Sequence, residues 1–340
     1  MAAPLKVRLI GKSNGVGLSR DFELLAAALR DNDCEVTLYG CRRRDRRRRR
    51  GFFTRLVARV RGMRGGGPDA RYDVNLMLEH VWPQYLHQAT RNVLVPNPEW
   101  FDRRDVAFLG AAQRVWAKTA LAERLFVARG CRAVHIGFDS NDRLDASVRR
   151  ENKFLHLSGR SPLKGTARLH ALWQRHPEWP LLTIVQDAEA VAKPTRGKAA
   201  GEGGSANICI ESHFLSDEAL RTLQNSHRFH LCTSEAEGWG HYIVEAMSVG
   251  AVTLTCDAPP MNELITSQRG VLLPVHGGGR HNLVSLSLFD EAGLEAAVPR
   301  VLAMSSTQCE TIGAAARAWF LENKQGFFGR VRHALEELQT

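Results

Sequence analysis

The stretch from Thr233 to Ile265, TSEAEGWGHYIVEAMSVGAVTLTCDAPPMNELI, constrains this chain more than any other. It must turn, begin a helix, stop it and enter a strand in quick succession. A polar turn, Thr233-Ser234-Glu235-Ala236, follows the run His230-Leu231-Cys232. Glu237-Gly238-Trp239-Gly240 leads into a helical pattern whose apolar side is Ile243, Val244, Ala246, Met247 and Val249. Gly250 stands where the glycine that ends a helix belongs. Val252-Thr253-Leu254-Thr255 is short and β-branched, as a buried strand is. Glycines at 238 and 240 let backbone N–H groups at the helix start approach an anion, which the helix dipole also favours. Glu237 at the helix mouth and Glu245 about two turns inside can face one ligand. A carboxylate only accepts hydrogen bonds, which suits sugar or ribose hydroxyls. Amides for a phosphate and carboxylates for hydroxyls describe a nucleotide-sugar site. The plainer reading of the same residues is a capped helix with one surface glutamate.

The density of matching positions separates these readings. The stretch resembles the nucleotide-binding signature of retaining GT-B glycosyltransferases, most closely glycosyltransferase family 4. Ser234, Glu237, Gly238, Trp239, Gly240, Glu245, Ala246, Met247, Gly250 and Glu263 carry the resemblance. It implies an α/β chain of GT-B type, two Rossmann-like domains facing across a cleft. It further implies that Glu237 holds the donor sugar and Glu245 the ribose. Amides at Gly240 and His241 would hold the distal phosphate, with Gly238, Trp239 and Tyr242 lining the same donor site. Two departures touch the sugar pocket: His241 stands where an apolar residue is usual, and Ala258-Pro259-Pro260 replaces a glycine-rich turn.

The rest of the chain supports two domains, which 340 residues can fill with two cores. Lys6-Val7-Arg8-Leu9-Ile10, a glycine loop at 11–17, a helix through Phe22 and Leu29, and Cys34 to Tyr39 form a Rossmann-like beginning. The glycine spacing is not that of a dinucleotide site, and no acid ends the second strand. In GT-B enzymes this loop faces the donor phosphates, so the resemblance adds Gly15 and Gly17 to the donor residues. Val74–Leu78 and Asn92–Val95 are the next strands, with His80 and Glu99 beyond their carboxyl ends. Chemistry collects at that edge of an open α/β sheet, so these two are expected to orient or deprotonate an acceptor hydroxyl. Helix capping is the alternative role for each. Val115–Thr119 and Ala133–Asp139 complete the sheet, and polar residues 140–152 read as the linker.

In the second domain, Arg160 and Lys164 follow strand Phe154–Leu157 and resemble the family's paired cations. Fixed cations there would neutralise the leaving diphosphate. His213, after strand Ala206–Ile210, is expected beside the nucleobase. Weak helices are expected at 290–304, 308–322 and 327–338. The expected division is 1–148 with a basic insertion at 41–67, then 149–322, then a last helix at 323–340 that in GT-B proteins crosses back to the first domain. No cofactor or metal is expected, because Arg160, Lys164 and helix amides take the cation's place and no D-x-D triplet is present.

Charge and cysteines narrow the setting. Arg42 to Arg50 carries eight arginines, most of the excess behind the net charge of +10. Beyond it Phe52, Phe53, Leu56, Val57 and Val60 share a helical face opposite Arg55 and Arg59. Such a basic amphipathic segment fits an anionic membrane surface, with Arg46, Arg47, Arg48, Phe52, Phe53, Arg55 and Arg59 as contacts to membrane or acceptor. A merely solvated insertion is the alternative. Nucleic acid fits less well, because base-stacking aromatics are missing apart from the phenylalanine pair. Seven scattered cysteines without a C-x-x-C predict reduced thiols and a cytoplasmic protein. No apolar run reaches the about 20 residues a bilayer span needs, and the first residues lack a signal-peptide core. Soluble or peripheral on the inner face of the membrane is therefore the expectation.

The expected function is a retaining hexosyltransferase using a nucleotide-diphosphate sugar and a glycan or lipid-linked acceptor, in bacterial cell-surface polysaccharide or lipopolysaccharide assembly. A sugar-nucleotide epimerase of the same fold and a non-catalytic membrane scaffold are the other readings.

Overall fold

The computed structural model describes residues 3–12, 17–42, 44–45, 70–187, 205–213 and 215–339. Gly15 and the expected membrane contacts Arg46, Arg47, Arg48, Phe52, Phe53, Arg55 and Arg59 lie outside these residues. The chain divides into two compact units. One comprises Met1–Asp139, Arg280–Val284 and Asn323–Thr340, the other Ser140–Gly279 and Ser285–Glu322.

The first unit contains β1 (Lys6–Gly11), α1 (Gly17–Asp31), β2 (Glu35–Gly40), β3 (Tyr72–Glu79), β4 (Ala89–Pro96), α2 (Arg103–Val106), β5 (Arg114–Ala117), α3 (Ala120–Val127) and β6 (Ala133–His135). The six strands pair in parallel in the order β2-β1-β3-β4-β5-β6. Parallel strands are covered on both faces and so read as continuous apolar runs. Val7, Leu9 and Ile10 in β1, and Val93, Leu94 and Val95 in β4, are buried accordingly. Arg8 breaks that pattern and is buried too. Its guanidinium donates to Asn75 Oδ1 at 3.1 Å and Gln88 Oε1 at 2.8 Å, and lies 4.6 Å from the Tyr72 ring centroid and 5.0 Å from that of Tyr85. Burial holds this guanidinium below its usual basicity, while the three neighbouring tyrosines and Cys41 act in the opposite direction. Tyr85 in turn donates to Asp45 Oδ1 at 2.7 Å, and Asp45 Oδ2 accepts from the Arg42 amide at 2.8 Å. The one acid inside the arginine run is therefore a buried anchor, not a surface charge.

The second unit contains β7 (Glu151–Gly159), α4 (Thr166–Gln174), β8 (Leu182–Gln186), β9 (Ile208–Glu211), α5 (Asp217–Ser226), β10 (His227–Cys232), α6 (His241–Ser248), β11 (Val252–Cys256), α7 (Met261–Leu264) and β12 (Val271–Leu273). This sheet is also parallel and six-stranded, in the order β12-β11-β10-β7-β8-β9. Phe154 stacks on Phe229 with centroids 4.8 Å apart, and Trp173 closes against Phe154 at 4.9 Å. The chain continues through a hairpin of β13 (Val275–His281) and β14 (Val284–Phe289), then α8 (Glu291–Leu302) and α9 (Ser306–Gln339).

Three features differ from the sequence reading. In the expected linker 140–152, residues 140–150 form no helix or strand but carry buried side chains, Ser140 fully and Arg143 at 4% exposure, and 151–152 already belong to β7. The Arg143 guanidinium bonds Gln224 Oε1 at 2.8 Å and Asp217 Oδ1 at 2.7 Å, so this polar segment is pinned to α5. The expected helices at 308–322 and 327–338 are one 34-residue helix, α9. Gly326 and Gly329 each cost about 1 kcal/mol against alanine inside a helix, but Phe320, Phe327 and Val331 are fully buried along it, and packing prevails. The β13–β14 hairpin has its signal in the alternation of Val284-Ser-Leu-Ser-Leu-Phe289 and turns at Asn282, whose φ is 51°. Among the described residues, no helix is long and apolar enough to cross a membrane.

Candidate active site

All strands of the second sheet are parallel, so the loops after β7, β8, β9 and β10 share one edge. The loop after β7 carries Arg160 and Lys164, and the loop after β10 carries Ser234 and Glu237. Backbone bonds lace the two together: Glu235 N donates to Leu163 O at 2.8 Å and Thr233 Oγ1 to Lys164 O at 2.9 Å. Gly165, at φ 68°, permits this approach; a Cβ there would sit 2.8 Å from Thr233 O. The lacing sets the Lys164 ammonium against the Glu237 carboxylate in an ion pair. Ser234 Oγ donates to the same Glu237 oxygen at 2.5 Å and lies 2.5 Å from the Tyr242 hydroxyl. The Lys164 Nζ also sits 3.4 Å from the centroid of the Tyr242 ring. Burial, reinforced by Cys232 and Glu237, keeps the Tyr242 phenol protonated far above its usual range.

Gly240 precedes α6 at φ 96°, and no side chain caps this helix start. The first-turn amides of a helix have no intrahelical acceptor, which favours an anion there. Glu245 lies one turn deeper and is only 3% exposed. Gln224 Nε2 donates to its Oε2 at 2.9 Å, and the same side chain's Oε1 accepts from Arg143 Nε at 2.8 Å. The Cys232 thiol beneath this region is pushed up by burial, eased by Lys164 and raised by Glu237 and Glu245, so all three charges lie within electrostatic reach of one sulfur. At the far end of α6, Arg150 and Arg317 bind the terminal carbonyls, Arg150 to Val249 O and, at 2.8 Å, Gly250 O, and Arg317 to Ser248 O at 2.6 Å. Cations there complement the helix dipole.

The expected donor residues are thus only partly gathered. Lys164, Glu237, Gly238, Trp239, Gly240, His241, Tyr242 and Glu245 belong to one loop–helix cluster. Arg160 is 59% exposed at its side chain and pairs with Asp187 Oδ2 at 2.8 Å, at the end of β8. His213 is 69% exposed beside Glu211, with Nδ1 3.4 Å from the carboxylate.

In the first unit Gly17 opens α1, and His80 and Glu99 lie beyond the carboxyl ends of β3 and β4. Asp105 of α2 orients His80: its Oδ2 is 2.9 Å from His80 Nδ1, and its Oδ1 accepts from the Val81 amide at 2.9 Å. The Asp105 side chain is fully buried. Glu99 is 4% exposed, and its backbone carbonyl accepts from Asn282 Nδ2 at 2.6 Å. Lys118, also buried, ties the Glu99 loop to α1 by bonding Asn97 Oδ1 at 3.0 Å and Asp21 Oδ2 at 2.5 Å. Sequence reasoning misses Asp105, Lys118, Ser140, Arg143, Asp187 and Gln224. Only Asp105 carries a local signal, the Asp-x-x-Asp of a capping box with Asp102, and that signal points to a helix cap.

No family model matches the chain. HepE of Anabaena, solved with UDP and glucose, superposes with a TM-score of 0.67 over 98% of this chain and 100% of its own, at 16% identity. Sucrose-phosphate synthase of Thermosynechococcus elongatus gives 0.67 over 98% of each chain, at 14% identity. The chain has the GT-B fold. In sequence this GT-B chain is similar to the GDP-mannose:cellobiosyl-diphosphopolyprenol alpha-mannosyltransferase of Xanthomonas oryzae pv. oryzae, 34% identical over 108 residues. That match covers 32% of this chain and 28% of the relative's length. The protein of the same name from Xanthomonas campestris is 33% identical over 106 residues, again 28% of its length.

Proposed function

We propose that this protein is a retaining glycosyltransferase that moves a sugar from a nucleoside diphosphate sugar to a hydroxyl of a lipid-linked or other glycan acceptor. The observation that carries the reading is the cluster of Lys164, Glu237, Ser234 and Tyr242 at the uncapped mouth of α6. It offers a cation and helix amides to a diphosphate beside a carboxylate for sugar hydroxyls. In the proposed reaction the acceptor oxygen bonds to the anomeric carbon on the face from which the diphosphate departs. The carbon–oxygen bond pair leaves with the diphosphate, which takes up the acceptor's proton. Lys164 and the α6 amides stabilise the growing negative charge, with Arg160 exchanging from Asp187 to join them. No resident metal is needed for this step. Glu245, oriented by Gln224, accepts from the ribose hydroxyls. His80, oriented by Asp105, and Glu99 serve the acceptor.

GDP-mannose is the donor to test first, because the sequence relatives carry it in their names; UDP-glucose is second, because HepE was solved with UDP and glucose. The membrane-surface role of the basic segment 42–64 follows the same logic, since a polyprenol-linked acceptor resides in a bilayer. Thermal unfolding with GDP-mannose, UDP-glucose and the ADP, dTDP and CMP sugars tests the donor. A sugar nucleotide at 100 times its dissociation constant stabilises by about 2.7 kcal/mol, a shift of a few degrees. Glu237→Ala and Glu245→Ala should each reduce that shift. No shift with any nucleotide sinks the reading.

A further inference from the structure

Ser140, His241 and Trp239 form a hydrogen-bonded set inside the second unit whose polarity can be worked out. The indole N–H of Trp239 can only donate, and it lies 3.1 Å from Ser140 Oγ, which therefore accepts. Ser140 is fully buried, so its own O–H needs an acceptor. The second hydrogen bond described for Ser140 is to His241 Nδ1, at 2.8 Å. The hydroxyl hydrogen points there, Nδ1 accepts, and the ring's single hydrogen sits on Nε2. His241 is the first residue of α6, directly after Gly240 at φ 96° and directly before Tyr242, whose ring meets Lys164. Trp239 and Tyr242 on either side are buried, whereas His241 keeps part of its surface exposed.

We infer that Ser140 is a positioning residue that fixes His241 as an Nε2–H donor, and that His241 gives this hydrogen to an oxygen on the sugar side of the bound nucleotide. That oxygen belongs either to the diphosphate or to a sugar hydroxyl; both are acceptors. An apolar side chain at this position could supply neither contact, so the departure at His241 is a specificity determinant. The signal comes from Ser140 at the start of a segment with no regular structure, which holds a residue a hundred positions away. The ligand part of the inference rests on the proposed function; the tautomer part does not.

Nitrogen NMR of the full chain, with His241→Phe to assign the signal, reads the tautomer directly. The wild type is expected to show the Nε2–H form, and Ser140→Ala a mixture of both forms. Calorimetry with GDP, GDP-mannose, UDP and UDP-glucose then reads the contact. His241→Phe should weaken binding about tenfold, the loss of one hydrogen bond to a charged or polar oxygen. Ser140→Ala should weaken it by a smaller factor. His241→Gln, whose amide N–H can occupy the place of Nε2, should retain most of the affinity. Equal loss for the diphosphate and the nucleotide sugar assigns the phosphate as partner; loss confined to the nucleotide sugar assigns a sugar hydroxyl. A wild-type ring protonated on Nδ1 overturns the role of Ser140. Unchanged affinity in His241→Phe overturns the ligand contact. If the wild type binds no nucleotide, the proposed function falls and the ligand contact with it, while the NMR result still decides the tautomer.

Discussion

Glu245 is a buried carboxylate whose direction is set from outside its own helix, by an amide that is itself fixed by Arg143. Gln224→Leu removes that hydrogen bond without emptying the space, so nucleotide affinity should fall about tenfold by calorimetry. Stability should fall too, by about 1–3 kcal/mol, because the buried Glu245 carboxylate and Arg143 guanidinium each lose a hydrogen bond even though the leucine fills the volume. Asp105 invites a different experiment. Asp105→Asn keeps the shape but can no longer guarantee which ring nitrogen of His80 carries hydrogen. The turnover number should drop by roughly 10- to 100-fold. KM for the donor should stay put, since Lys164, Glu237 and Glu245, proposed to hold the donor, belong to the other unit; an equal rise in donor KM would remove His80 from the acceptor side. At this scale the sequence was informative only where chemistry is local. Glu237, Gly240 and Glu245 lie in one short stretch and could be read together. Ser140, Gln224 and Asp187 reach the same region through tertiary folding, and nothing in their neighbours announces it.

Elements were more legible, because periodicity and glycine placement are local properties. The expected strands lie close to where the sequence reading puts them, while β12 (Val271–Leu273) is not among them, and α6 is followed by Gly250, whose φ is 66°. Errors arose where packing outweighs local preference. Separate helices are expected at 308–322 and 327–338, but buried Phe320 and Phe327 lie on one continuous α9. The polar segment 140–152 reads as a linker because its buried partners on α5 are distant in sequence. The lacing of the loops after β7 and β10 makes one sharp prediction. Gly165→Ala places a methyl 2.8 Å from Thr233 O at a φ of 68°. That strain should lower stability by about 1–3 kcal/mol, seen as a drop of several degrees in unfolding temperature. Nucleotide binding should suffer as well, because Lys164 is the adjacent residue. If binding is retained in full, the loop contact does not position the cation.

At the scale of the whole molecule, two histidines sealed in the second unit tie stability to pH. Burial lowers His156 to about 4 and His230 to about 3, each from 6.5. Both therefore stay neutral in the folded chain while the unfolded chain takes up their protons below about 6.5. Their contribution is complete above that pH and is lost as pH falls towards the folded values, on the order of 1 kcal/mol per pH unit for each. His230 donates from Nε2 to the Gln224 carbonyl, 3.0 Å away, a bond that glutamine can imitate. Unfolding of His230→Gln followed from pH 7.5 to 5 should fall less steeply than that of the wild type; parallel curves would refute the assignment.

The two units are not consecutive in the chain, and this governs the order in which they can be completed. Phe327, Val331, Ala334 and Leu335 of α9 are buried in the first unit, where Phe327 meets Phe138 at 5.2 Å and Arg330 binds the Ile136 carbonyl at 2.7 Å. During synthesis the first unit is made early but lacks one wall of its core until residues 323–339 emerge. The unit begun first is thus the one that must wait. A fragment ending at Asp139 should expose Phe138 and fail to fold cooperatively, whereas the same fragment joined through short linkers to residues 280–284 and 323–339 has all of the unit's own segments. For anyone exchanging the second unit between chains of this design, the seam is four cuts, after Asp139, Gly279, Val284 and Glu322.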